Sequence, residues 1–245
     1  MKGQKVTNRT LIGVLTPSSN TVLEPLTSAM LAGVENVSAH FGRFRVTEIS
    51  TSENSDAQFR LEPQLAAADL LADAHVDAIV WSGTSASWLG FDKDLDMCRA
   101  IEDRTGIKAG SAVLAINELF AGIEARTFGL VSPYVGEIQD MIVENYATAG
   151  LNCVAERHLN ETVNFNFSNF SEAEIETMIR EVAEAKPDAI TVMCTNMRGA
   201  RIVPQLEQEL GIPIFDSTAA ALWSGMRLSG SDPAAVNGWG RVFDL

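Results

Sequence analysis

The strongest constraint on this chain is that it repeats itself. Asp77-Ala78-Ile79-Val80-Trp81-Ser82-Gly83-Thr84 recurs as Asp188-Ala189-Ile190-Thr191-Val192-Met193-Cys194-Thr195. Gly106-Ile107-Lys108-Ala109-Gly110-Ser111 lines up with Gly211-Ile212-Pro213-Ile214-Phe215-Asp216-Ser217. Near the front of each half, Leu11-Ile12-Gly13-Val14-Leu15-Thr16-Pro17 parallels Thr127-Phe128-Gly129-Leu130-Val131-Ser132-Pro133. Three matches in one order describe a duplicated unit of about 110 residues, the size of a small domain.

Within each unit, apolar runs alternate with helix-period segments, the pattern of a parallel α/β sheet. Leu11 to Thr16 is apolar without alternation, which suits a strand buried on both faces. Strands are expected over 11–16, 37–46, 76–82, 127–132, 152–157, 189–194 and 212–216. Helices are expected over 21–32, 56–74, 92–104, 111–123, 135–149, 171–185, 200–210 and 218–228, with Ser19 or Asn20 capping the first. The fold class that follows is α/β, with two pseudo-symmetric flavodoxin-like lobes, each a parallel sheet flanked by helices. Residues 1–117 form the first lobe, completed by 218–245, and residues 118–217 form the second.

Open α/β sheets bind ligands beyond the carboxyl ends of their strands. Two facing lobes bring four such ends to one cleft: 17–20, 82–85, 132–134 and 194–196. These supply hydroxyls, amides, a phenol and one thiol, with no carboxylate and no histidine.

Composition removes other classes. Against 32 Asp and Glu stand only 18 Lys and Arg, a net charge of −14. That balance argues against nucleic acid and against an anionic membrane surface. No run approaches the roughly 18 apolar residues of a membrane span, and the amino-terminal residues lack a secretory pattern. Cys98, Cys153 and Cys194 are odd in number and widely spaced, unlike a disulfide framework or a zinc site. A reduced, cytoplasmic protein is expected, with a homo-oligomer left open. There is no Gly-x-Gly-x-x-Gly after the first strand, no P-loop and no Gly-x-Ser-x-Gly elbow. His40, His75 and His158 are scattered, so no metal and no cofactor is expected.

Cys194 stands out. It ends a strand, and a helix beginning near Gly199 or Ala200 would offer N–H groups that lower a thiol's pKa. Equally, a free cysteine can simply pack. Gly83-Thr84-Ser85 is its repeat partner: glycine permits close backbone approach and the hydroxyls add donors for an anion, or the segment is an ordinary capped turn. Tyr134 follows a strand and can donate to an oxyanion or pack as an amphipathic residue. Residues 164–170 alternate amide or hydroxyl with phenylalanine, the pattern of an edge strand or of a substrate-facing loop.

These residues carry a resemblance. The two-lobe repeat, with Gly83-Thr84-Ser85 in one half and Cys194 in the other, resembles the aspartate/glutamate racemase superfamily, in its branch of arylmalonate decarboxylases and maleate cis–trans isomerases. Trp81 to Ser87, Pro133-Tyr134-Val135 and the closing Gly238 to Asp244 belong to it. Racemases and the isomerase carry a cysteine in both lobes, whereas Gly83 is the decarboxylase pattern. The resemblance implies that Cys194 protonates a carbanion-like intermediate. Thr84, Ser85 and Tyr134, with N–H groups around Cys194 and Thr195, would hold the enediolate oxygens, and Gly83 would leave one face without an acid or base. The loop with Ser19 and Asn20, and also Asn164, look like isomerase carboxylate contacts. Thr195-Asn196 stands where the decarboxylase has two glycines, so a small polar diacid fits more easily than an aryl one.

The expected function is cofactor-independent decarboxylation of a small substituted malonate-type dicarboxylic acid. The alternative is maleate-type cis–trans isomerisation by the Cys194 thiolate, and a third reading is a non-catalytic small-acid binding protein. By symmetry, Gly83→Cys is expected to restore a two-cysteine site.

Overall fold

A computed structural model describes residues 9–50 and 58–245 of the chain. The first sheet holds β1 (Thr10–Pro17), β2 (Val37–Phe44), β3 (Ala78–Trp81) and β4 (Lys108–Ser111), all parallel, in the order β2-β1-β3-β4. The second repeats that order as β6-β5-β7-β8, from β5 (Thr127–Ser132), β6 (Asn152–His158), β7 (Ala189–Val192) and β8 (Ile214–Asp216). Helices α1 (Leu23–Met30), α2 (Leu61–Asp73), α3 (Ala86–Leu89), α4 (Phe91–Thr105) and α5 (Ala112–Gly122) accompany the first sheet in sequence. The second is accompanied by α6 (Gly136–Thr148), α7 (Glu172–Ala183), α8 (Val203–Leu210) and α9 (Ser217–Leu228). No helix among the described residues is long and apolar enough to cross a membrane.

The repeat in the sequence is a repeat of local devices. Asp77 Oδ2 accepts the Leu11 N–H at 2.7 Å, and Asp188 Oδ2 accepts the Thr127 N–H at 2.9 Å, so each lobe ties its first strand to its third in the same way. Gly106 and Gly211 both end a helix at φ +73°, a left-handed cap that favours glycine. Ser111 Oγ caps α5 and Asp216 Oδ1 caps α9. Register pairs Trp81 with Ser111 and Val192 with Asp216, so Ser111 corresponds to Asp216 rather than to Ser217.

Two elements went unexpected. Strand β4, Lys-Ala-Gly-Ser, contains no β-branched or aromatic residue and carries a weak strand signal. Helix α3 is a single turn of four residues. Several boundaries also shift: β7 stops at Val192, leaving Cys194 in the turn beyond it, and α8 starts at Val203 instead of 200. Of the helix expected over 56–74, positions 56 and 57 lie outside the described residues, and α2 begins at Leu61.

The last helix of each half crosses to the other half's sheet. Phe120 of α5 packs its ring 5.5 Å from Phe128 and 5.6 Å from Phe215 of the second sheet. Helix α9 approaches the first sheet so closely that a Cβ on Gly225 would lie 2.7 Å from Ile12 Cγ2 and 3.1 Å from Val80 Cγ2. Beyond α9 the chain returns to α8, where the Glu207 carboxylate accepts the Arg241 N–H at 2.8 Å. The exchanged helices fasten the lobes together through buried apolar surface.

That close approach is testable. Gly225→Val is expected to lower stability by about 1–3 kcal/mol through overpacking, read from the denaturant midpoint. An unchanged midpoint would contradict the seating of α9 on β1 and β3.

Candidate active site

The carboxyl ends of β1, β3, β5 and β7 converge as the open-sheet rule requires. They surround a small pocket of about 20 Å³, which holds roughly one water. Gly83, Thr84, Ser85, Tyr134, Asn164, Cys194 and Thr195 all line it. A groove of about 480 Å³ beside it shares Phe59 and Ser85 and carries Lys93. Anything much larger than a water would enter the inner void only if part of its wall moved. A separate hollow of about 490 Å³, between α5 and the end of α6, contains none of these groups.

One side of the pocket is polar. Thr84 Oγ1 and the Tyr134 phenol hydrogen-bond at 2.6 Å. Two hydroxyls sharing one bond leave one O–H to donate elsewhere. Ser85 Oγ has no partner among the described residues, and neither do the backbone N–H groups of Thr84 and Ser85. The Tyr134 phenol also reaches the Cys194 sulfur, and burial raises its pKa well above the ordinary tyrosine value. Together these groups make a concave surface rich in hydrogen-bond donors.

Cys194 sits 3% exposed in the turn after β7. Its Sγ accepts the Asn196 N–H at 3.4 Å, a bond from the turn itself and not from a helix end. Burial outweighs that bond and pushes the thiol up to about 12, with Asp216 adding to the rise. The expectation of a lowered thiol pKa is thereby corrected, because desolvation of the charged form dominates. At neutral pH the group is an SH, a proton donor. Asp216 is itself raised to about 7 by burial, and its Oδ2 has no partner among the described residues.

Other expected site residues play structural parts. Thr195 Oγ1 accepts from Asn20 Nδ2 at 3.1 Å and donates to the Ser82 carbonyl at 3.0 Å, so its proton is committed. Asn20 Oδ1 caps α1 through the Val22 and Leu23 N–H groups. Asn196 Oδ1 accepts the Thr21 N–H at 3.0 Å, and its Nδ2 donates to the Asn164 carbonyl at 2.6 Å. Ser19 Oγ donates to the Val46 carbonyl at 2.7 Å and thereby positions a wall residue. Ser19, Asn20 and Asn196 do not line the pocket. Asn164 does, at the start of a 3-10 turn (Asn164–Asn169), so the segment is not an edge strand.

The apolar part of the lining was not anticipated. Val46, Ile49, Phe59, Trp81, Trp88 and Phe167 also line the pocket and add hydrocarbon and indole surface to it. Trp88 meets Tyr134 edge-on at 5.1 Å, and Phe167 meets it at 5.6 Å. Trp81 and Trp88 flank the Gly83–Ser85 turn in sequence and could have been read as pocket residues. Val46 and Ile49 carry no such signal. Among the described residues no three His, Cys, Asp or Glu side chains converge as a metal ion needs.

The expected effect of Gly83→Cys also changes. A Cβ at position 83 would lie 2.0 Å from Trp81 Cζ2, so a thiol there collides with the indole unless it moves.

Thr195→Val removes the bridging hydroxyl and leaves Asn20 Nδ2 and the Ser82 carbonyl buried without partners. A loss of about 1–3 kcal/mol per stranded group is expected, measurable by thermal or denaturant unfolding. A variant as stable as the parent would show that this bridge does not hold the lobes.

A profile of the family described as arylmalonate decarboxylase matches residues 12–243. The arylmalonate decarboxylase of Bordetella bronchiseptica is 25% identical over 165 residues, covering 66% of this chain and 69% of the relative. The maleate isomerase of Geobacillus stearothermophilus is 20% identical over 227 residues, covering 86% and 88%. A Nocardia farcinica maleate cis–trans isomerase mutant, solved with a covalently bound succinylcysteine intermediate, superposes with a TM-score of 0.87 at 22% identity, covering 96% and 98%. That likeness bears out the two-lobe α/β fold. With the profile spanning all but the two ends, the chain belongs to the arylmalonate decarboxylase family.

Proposed function

We propose that this protein is a cofactor-independent decarboxylase of a small malonate bearing an apolar substituent. The observation that carries the reading is the asymmetry of the pocket, which contains the Cys194 thiol while the repeat-related position in the other lobe is Gly83. One carboxylate would take hydrogen bonds from Ser85 and from the one O–H that the Thr84–Tyr134 pair leaves free, and the substituent would lie against the apolar lining. The second carboxylate, held away from stabilising donors, leaves as carbon dioxide. The electron pair of the broken C–C bond passes into an enediolate on the retained carboxyl group. Donors fixed where that charge develops are each worth roughly 3 kcal/mol by oxyanion-hole precedent. Cys194 then gives its proton to the carbon, and the thiolate regains one from water.

A protonated thiol fits this role. The isomerase alternative, addition of a thiolate to a conjugated double bond, needs the form that burial disfavours. What favours the alternative is Asn164, whose amide reaches the pocket, and the presence of maleate isomerases among the relatives. The apolar lining supports a hydrocarbon substituent over a wholly polar diacid, with the pocket opening to admit it.

Incubation with methylmalonate- and arylmalonate-type acids and with maleate separates the readings, carbon dioxide marking one and fumarate the other. Fumarate without carbon dioxide would reverse the assignment. Cys194→Ala is expected to abolish product formation, and a variant with undiminished rate would remove the thiol from the mechanism. Because an acid with a pKa of about 12 stays protonated, the chemical step is expected to be flat from pH 7 to about 9. A rate rising with pH over that interval would instead indicate a thiolate nucleophile.

A further inference from the structure

Register gives each lobe an equivalent pair of positions at its third strand end. Trp81 ends β3 with Gly83 two residues on, as Val192 ends β7 with Cys194 two residues on. The two pairs divide their bulk differently. In the second lobe a small aliphatic residue precedes a thiol, and in the first a tryptophan precedes no side chain at all.

The first-lobe pair is sterically coupled. A Cβ on Gly83 would meet Trp81 Cζ2 at 2.0 Å, Cε2 at 2.4 Å and Cη2 at 2.5 Å. The indole therefore occupies the volume that a first-lobe thiol would need. It is 1% exposed and packs against the Phe44 ring at 4.9 Å. It lines the same pocket as Cys194. Its Nε1 is bonded to Cε2, one of the three atoms over Gly83, and that N–H is buried without a partner among the described residues.

We propose that Trp81 is a specificity-determining residue that closes the first-lobe face of the pocket, so that a substrate carbon is protonated only from the Cys194 side. On this account the glycine at 83 is what the tryptophan requires, and the missing second thiol follows from the packing. The ring excludes both water and any side-chain acid from that face. Its unpaired N–H is the donor that a carboxylate oxygen of the bound diacid would satisfy, since a buried donor left alone is unfavourable. The stereochemical part rests on the decarboxylase reading, and the steric part does not.

Three variants test both parts: Gly83→Cys, Trp81→Ala and the double variant. For the steric part, the position-83 thiol is followed by iodoacetamide labelling and peptide mass mapping. Labelling is expected to be at least about tenfold faster in the double variant than in Gly83→Cys. Gly83→Cys is also expected to lower the Tm of the parent and not that of the Trp81→Ala variant. Failure of the single variant alone to fold supports the clash. Equal labelling rates, or equal Tm losses in both backgrounds, would overturn the proposal.

For the stereochemical part, Trp81→Ala, which introduces no clash, is given a malonate carrying a methyl and a phenyl group. The parent is expected to form one enantiomer in large excess and the variant a markedly reduced excess, as water reaches the open face. An unchanged excess would overturn the occlusion. If the parent releases no carbon dioxide from any malonate, the decarboxylase reading fails, while the labelling and Tm results still decide the place of Trp81.

Discussion

One buried oxygen holds the site in register. Thr195 Oγ1 takes a hydrogen bond from Asn20 and gives one to the Ser82 carbonyl. The loop after β1, the turn after β3 and the turn after β7 are thereby fixed on a single atom. A buried polar network of this kind is stable only when each member is satisfied. Here the hydroxyl uses its one proton and a lone pair in opposite directions across the lobe boundary. The Thr84–Tyr134 bond and the Asn196–Asn164 bond add further tethers around it. With helices α5 and α9 exchanged between the sheets, the cleft is held by packing on its far side and by hydrogen bonds at its floor.

Burial sets the electrostatics. The chain carries −14 overall, yet the pocket is lined by hydroxyls, an amide, a thiol and hydrocarbon. Net charge governs the outer field, and local donors govern the cleft. Low polarity around Cys194 keeps the thiol protonated, and the same desolvation raises Asp216 beside it. A dry site with fixed donors stabilises charge that appears only as a bond breaks, because such dipoles do not reorganise at that moment. In the proposed mechanism the acid-base chemistry falls on a group that would be a nucleophile if it were wetter.

Much of this was legible in the sequence, and for one reason. The repeat located every strand but β4 and the pairing of Gly83 with Cys194, because duplicated strand ends keep duplicated backbone devices. Thr84, Ser85, Tyr134, Asn164 and Cys194 all reach the pocket as their placement at strand ends or in the loop implied. Roles were less legible than places. Asn20, Thr195 and Asn196 have the chemistry of ligand contacts but spend it on other groups of the protein, which no single chain position reveals. The direction of the Cys194 shift depended on burial, and no spacing encodes that. Val46 and Ile49 enter the wall because Ser18 and Ser19 hold the Val46 backbone, a contact between loops distant in sequence. Strand β4 lacks intrinsic propensity, and its repeat partner was the only signal for it.

The central claim is that Ser85 and the bonded Thr84–Tyr134 pair hold a carboxylate while the neutral Cys194 thiol stands over the adjacent carbon. A crystal structure with a non-reactive malonate analogue tests it most directly. The account predicts one carboxylate hydrogen-bonded to Ser85 and to the free O–H of the Thr84–Tyr134 pair, the substituent against Trp88 and Phe167, and an unmodified Cys194 facing the carbon between the carboxylates. A ligand held instead by Asn20 and Asn196, or joined covalently to the Cys194 sulfur, would contradict it.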